Sequence, residues 1–170
     1  MLALLLIWGC TATETPDSPS QDTDTAAQEL GEVWVPLDQD PPSDFAEMNL
    51  FLWDPATSTM TFNAGVVPYE LNMPLFSDYT LKQRAIYIPV GESANYQEND
   101  TFDYPIGTLI LKSFLVPADL REPDQNQRLM ETRLLIRQTD EWVQWPYTWA
   151  QDGRSAKLDR AGEIIPVSFI

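Results

Sequence analysis

The stretch GTLILKSFLV, residues 107–116, restricts the fold more than any other part of the chain. Read with the two-residue period of a strand, it puts Leu109, Leu111, Ser113 and Leu115 on one face and Ile110, Lys112, Phe114 and Val116 on the other. Both faces are largely apolar, so the stretch reads as a mostly buried strand. The segments around it repeat the pattern. RAIYIPV alternates and is β-branched, RLMETRLLIRQ is strand-like, and WVQWPYTWA, SAKLD and EIIPVSFI follow as short extended pieces. Turn residues separate them: a polar loop at ADLREPDQNQ, Asp140-Glu141, and Asp152-Gly153. NYQENDTFDYP reads as a hairpin, with Asn99-Asp100 between two aromatic arms. The expected fold is mainly β, an antiparallel β-sandwich or barrel-like domain spanning residues 33–170. No internal repeat or heptad is present.

One short helix is expected before the strands, in PPSDFAEMNLFLWD. Ser43 is placed to cap it, Asp44 and Glu47 suit the positive end of its dipole, and Phe45, Met48 and Leu52 fall near helical spacing. Pro55 limits it. Further on, VVPYELNMPLFSDYTLKQRAIYIP is broken by three prolines into an extended arm at Val66–Tyr69, a turn at Asn72–Pro74, a tight corner at Phe76, Ser77, Asp78 and Tyr79, and a strand from Arg84. Ser77 and Asp78 are suited to capping that corner through nearby backbone N–H groups. Lys82 and Arg84 are the first basic residues of the chain and are placed to pair with Asp78 or Glu70, or to hold an anion.

The charge is divided unevenly. The formal total is −16, and 13 of the 26 acids precede Lys82 with no base among them. This repels nucleic-acid phosphates and anionic lipid headgroups, so no nucleic-acid partner is expected. There is no histidine and a single cysteine, Cys10. That removes Ser-His-Asp and Cys-His catalysis, histidine-ligated zinc, and an internal disulfide.

The first residues, MLALLLIWGC, form an apolar run of nine residues closed by Cys10. Such a helix rises about 14 Å, well short of the hydrocarbon layer of about 30 Å. The run resembles a signal peptide ending in the Leu/Ile-x-Gly-Cys lipobox of bacterial lipoproteins, although no Lys or Arg precedes it, as if the true start lay upstream. The resemblance implies residues 1–9 as signal, acylation of Cys10, and a lipid bilayer as partner. Residues 10–32 are rich in Thr, Ser, Asp, Glu and Pro and read as a disordered acidic tether. Thr11 is not the Asp of inner-membrane retention, which favours an outer-membrane location in the envelope.

Several residue groups invite a chemical reading. Trp145, Tyr147 and Trp149 point the same way in a strand, with Trp142 nearby, and fit either a flat sugar-binding platform or the domain core. Pro146 suggests an edge strand or a bulge. Carboxylate pairs at Asp100/Asp103, Asp119/Glu122 and Asp140/Glu141 are the only basis for a hydrolase, and they fall in turns. DQDPPSD, residues 38–44, alternates acids without the Gly and distal Glu of an EF-hand. Glu131, Arg133 and Arg137 share a strand face and suit a charge ladder.

Four segments in order, VVPYELNMPLFSDYTLKQRAIYIP, TFDYPIGTLILKSF, RLMETRLLIR and WVQWPYTWAQDG, resemble the β-rich N-terminal module of a family of bacterial dihaem c-type cytochromes of unknown role. Related modules occur beside cytochromes linked to PQQ-type sugar dehydrogenases. The resemblance runs from about Pro42 to Ile170. It rests on Pro68, Tyr69, Asn72, Pro74 through Tyr79, Lys82 and Arg84, then on Phe102, Pro105, Gly107, Thr108, Lys112 and Phe114, then on Glu131 through Leu134, and on Tyr147 and Trp149. The family's chemistry lies in Cys-x-x-Cys-His segments, which these residues lack. The resemblance therefore implies haem c only in a longer parent or a partner cytochrome. It implies for this chain a non-haem module, without catalysis of its own, in an electron-transfer protein. A carbohydrate-binding module is the second reading.

Overall fold

The computed structural model describes residues 30–168 and residue 170. The signal run, Cys10 and most of the expected tether lie outside the described residues. Eight strands form: β1 (Phe51–Asp54), β2 (Thr59–Phe62), β3 (Val66–Pro68), β4 (Leu81–Tyr87), β5 (Leu109–Pro117), β6 (Gln127–Arg137), β7 (Trp142–Trp149) and β8 (Ala156–Leu158). β1 and β2 make a hairpin. The other six make one antiparallel sheet in chain order, each strand beside its sequence neighbour.

The alternation in β5 is realised. Leu109, Leu111, Ser113 and Leu115 are all buried on the inner face. They meet Ala85 of β4, Leu129, Leu134 and Ile136 of β6, and Trp145 and Tyr147 of β7 in one core. Phe45, Met48, Leu50 and Phe51 close that core from the other side, with Val33, Val35, Trp53, Met60 and Phe62 at its margin. The hairpin and the segment before it therefore form a lid over one sheet face, and part of the C-terminal segment, with Ile165 and Val167, lies beside Phe114 and Val116 on the other.

The antiparallel β class is as expected, but the sheet does not close into a barrel. Its edge strands, β3 and β8, have three residues each. Ladders that short cannot supply the tilted, staggered pairing that closure needs. A bulge lies between β5 and β6: Phe114 faces Glu131 while Leu115 faces Leu129, leaving Met130 as the extra residue. It lets the inward leucines of β6 stay inward on both sides of the bend.

Six local expectations are corrected. The helix is a single 3-10 turn, Phe45–Met48, and its cap is Asp44, whose side chain accepts from the Ala46 N–H, rather than Ser43. Leu52 belongs to β1, because left-handed Asn49 ends the turn one residue after Met48. Asn99-Asp100 closes no hairpin: Asn95 and Asp103 form one isolated bridge, and their two backbone bonds are the ladder's whole length. Residues 163–168 form no strand. Pro146 is not on an edge strand either. Its carbonyl accepts from the Asp159 N–H on the β8 side, one residue beyond the last β7–β8 pair, so its missing N–H falls where the ladder has already ended.

Candidate functional site

Between β3 and β4 the chain makes the corner that the sequence marked out. Asp78 and Tyr79 both have left-handed backbone, with φ of 44° and 62°. Tolerable for Asp, this is unfavourable for Tyr, and such residues persist where the surroundings hold them. The corner is closed by Thr80, whose N–H and hydroxyl both donate to the Ser77 carbonyl, at 2.8 and 2.6 Å. The expected caps from the Ser77 and Asp78 side chains are thus replaced by a backbone acceptor. Lys82 reaches back to donate to the Leu75 carbonyl. The Phe76 and Tyr79 rings meet edge to face, 5.2 Å between centroids.

With its backbone held this way, the corner turns its apolar side chains outward. Met73 is 85% exposed, Leu75 81% and Phe76 73%. Contiguous exposed apolar surface of this kind is uncommon on an isolated domain and marks interaction sites. The corner borders a groove of about 400 Å³ on the outer sheet face, lined by Phe114, Val116, Met130 and Arg133, by the carboxylates Asp78, Glu131, Asp159 and Glu163, and by Ile165 and Val167.

Beside the groove, three cations stand in register across three strands. Arg84 lies opposite Lys112, and Lys112 opposite Arg133. Arg133 is held by a two-pronged pair with Glu131, at 2.6 and 3.0 Å. Buried Arg84 pairs with Glu70, 3.9 Å away, with Tyr69 nearby. The ladder expected from Glu131, Arg133 and Arg137 is therefore one pair within a strand, and Arg137 instead donates to the Gln138 carbonyl. Among the described residues no carboxylate forms an ion pair with Lys112; its ammonium lies 4.8 Å from the Phe114 ring centroid. Burial, and then the neighbouring Arg133, Arg84 and Lys82 charges, lower its pKa.

The sugar platform is removed by burial. Trp145 is 6% exposed and Tyr147 0%. The Tyr147 hydroxyl donates to the Pro42 carbonyl at 2.9 Å, and the half-buried Trp149 ring donates its N–H to Thr132. Burial holds the Tyr147 phenol well above its ordinary pKa. These rings pack on Phe45 and Phe51 as core. A different aromatic chain, Tyr96, Phe102, Tyr104 and Trp142, is linked by edge-to-face and tilted contacts with centroids about 6 Å apart, and Tyr96, Phe102 and Trp142 stay exposed.

Asp44, Asp54 and Asp119 are all shifted below the ordinary carboxyl range, chiefly by hydrogen bonds from Lys157, Thr57 and Arg121 respectively. A general acid needs the opposite shift. Asp38 of the acidic loop is spent on the Thr139 N–H and hydroxyl. No group of three or more potential ligands among the described residues is placed to hold a metal.

The corner was visible in the sequence as a run of prolines and turn residues. Its outward apolar display was not, because exposure depends on tertiary packing. The cation row needs the β4–β5–β6 register, which no local signal carries. Compared with protein-family models, curated proteins and solved structures, the chain shows no match.

Proposed function

We propose that this domain is a docking module of a lipid-anchored envelope protein, held to the bilayer through acylated Cys10 and an acidic tether, and that it positions a c-type cytochrome domain supplied by the same polypeptide or by a partner. The observation that carries the docking reading is the apolar corner: Met73, Leu75 and Phe76 face solvent on a backbone fixed by Thr80 and Lys82. Loops that merely connect strands are polar; a rigid loop presenting large apolar side chains beside a groove suits burial against another surface. The cytochrome as occupant rests on the resemblance of the four sequence segments. In this reading the haem chemistry belongs to the partner, and the module contributes orientation.

The test is genetic and biochemical. The reading frame downstream of the Ile170 codon, or an adjacent gene, should encode Cys-x-x-Cys-His, and the domain should bind that cytochrome with an affinity that drops at least about tenfold in Phe76→Ser. A locus without such a gene defeats the cytochrome assignment, and unaltered binding in Phe76→Ser defeats the corner as the contact.

A further inference from the structure

We propose that Lys112 and Arg133, with the buried Arg84 charge behind them, form a receptor for a carboxylate carried on an otherwise apolar partner surface, so that the docked partner completes an unbalanced cation row. This rests on the docking reading and names the chemistry the partner must present.

Directly opposed residues of antiparallel strands hold their Cβ atoms about 4.5–5.5 Å apart, and like charges in that position destabilise a sheet. Here the opposition occurs twice in succession, Arg84 with Lys112 and Lys112 with Arg133. A fourth cation, Lys82, lies two residues before Arg84 on the same face. Among the described residues, two carboxylates form ion pairs with this row. Glu131 is committed to Arg133, and Glu70 stands 3.9 Å from Arg84. Lys112, at the centre, is partly desolvated and repelled from both sides; Glu131 attracts it only weakly, and its ammonium lies over the Phe114 ring. The groove beside the row also holds Asp78, Asp159 and Glu163, but among the described residues none of these forms an ion pair with Lys112 or Arg133. The arrangement lacks one compact anion.

The overall charge also fixes what kind of anion. An extended anionic surface, a membrane or a nucleic acid, meets the field of the whole domain within a Debye length of about 8 Å and is repelled. A single carboxylate set among apolar groups feels mainly its near neighbours. The surroundings match that partner: Phe114 contacts both Lys112 and Arg133, and the groove it lines leads to the Ser77–Thr80 corner. Apolar contact on the corner and one carboxylate on the row would be made together.

The test needs no partner. Citrate is added to the domain at constant ionic strength, with chloride as the balance, while the Lys112 side chain is titrated by NMR. The Lys112 pKa should rise by about one unit, a tenfold preference of the anion for the charged form. Lys112→Met should melt higher than wild type without citrate, since a repelled charge is gone, and citrate should raise the melting temperature of wild type but not of Lys112→Met. A less stable Lys112→Met, an equal citrate response in both proteins, or Lys112-dependent binding to phosphatidylglycerol vesicles would overturn the assignment. Those results would leave the corner as a docking contact intact, because that contact is read separately through Phe76→Ser.

Discussion

The core contains one buried polar cluster whose loss can be worked out in advance. Ser113 and Thr132 face each other across β5 and β6, hydroxyl to hydroxyl at 2.9 Å, and the Trp149 N–H donates to the same Thr132 oxygen at 2.9 Å. Both hydroxyl residues are fully buried. Thr132→Val keeps the shape and removes the shared oxygen, leaving the Ser113 hydroxyl and the Trp149 N–H without partners. A buried polar group so orphaned costs about 1–3 kcal/mol. Trp149 is only partly buried and recovers some solvation, so the expected loss is about 2–3 kcal/mol. Ser113→Ala removes one bond and one hydroxyl together and should cost about 1 kcal/mol. In the double variant no Ser113 hydroxyl remains to be orphaned, so the sum of the single losses should exceed the double loss by about 1 kcal/mol. Urea unfolding of the four proteins, followed by tryptophan fluorescence, gives all the terms. A neutral Thr132→Val, or strictly additive losses, would refute the reasoning and with it the commitment of Trp149 to the core.

Three further outcomes follow from the same geometry. Tyr147→Phe leaves the Pro42 carbonyl unpaired in the core and should cost about 1–3 kcal/mol in urea unfolding. Asp44 is held below the ordinary carboxyl pKa, first by its hydrogen bond from Lys157; its stabilisation is present above pH of about 4 and is lost as pH falls through the lowered value, so Asp44→Asn should lose about 1 kcal/mol or less at neutral pH, with the difference from wild type closing in acid. Leu75→Ser and Phe76→Ser remove exposed side chains and should change stability by less than about 0.5 kcal/mol while weakening partner binding, a separation that a core role would not permit.

What could be read from the sequence follows the reach of the forces involved. β5 was legible because its period of two is local and both faces are constrained, and the antiparallel β class followed from turn signals between such strands. The 3-10 turn was read as a helix because Phe45 and Met48 are inward in either geometry; their spacing does not report that Asn49 ends the segment in a left-handed conformation. The aromatics of β7 stayed ambiguous because a row of rings suits a core and a platform equally until the lid over them is known. Phe45 and Phe51, more than 90 residues earlier, supply that lid. In the sequence Lys112 is one outward residue among four. Its isolation among cations appears only when β4 and β6 are set beside it in register.

The central claim is that the apolar corner is a contact for a cytochrome. Site-specific photo-cross-linking tests it most directly: p-benzoylphenylalanine replaces Phe76 in the full-length protein in its own cell envelope, with the fully exposed Val90 as the control position. The account predicts an irradiation-dependent adduct at Phe76 that stains for covalent haem, and none at Val90. A haem-negative adduct, equal labelling from both positions, or no adduct from a correctly folded protein would contradict it.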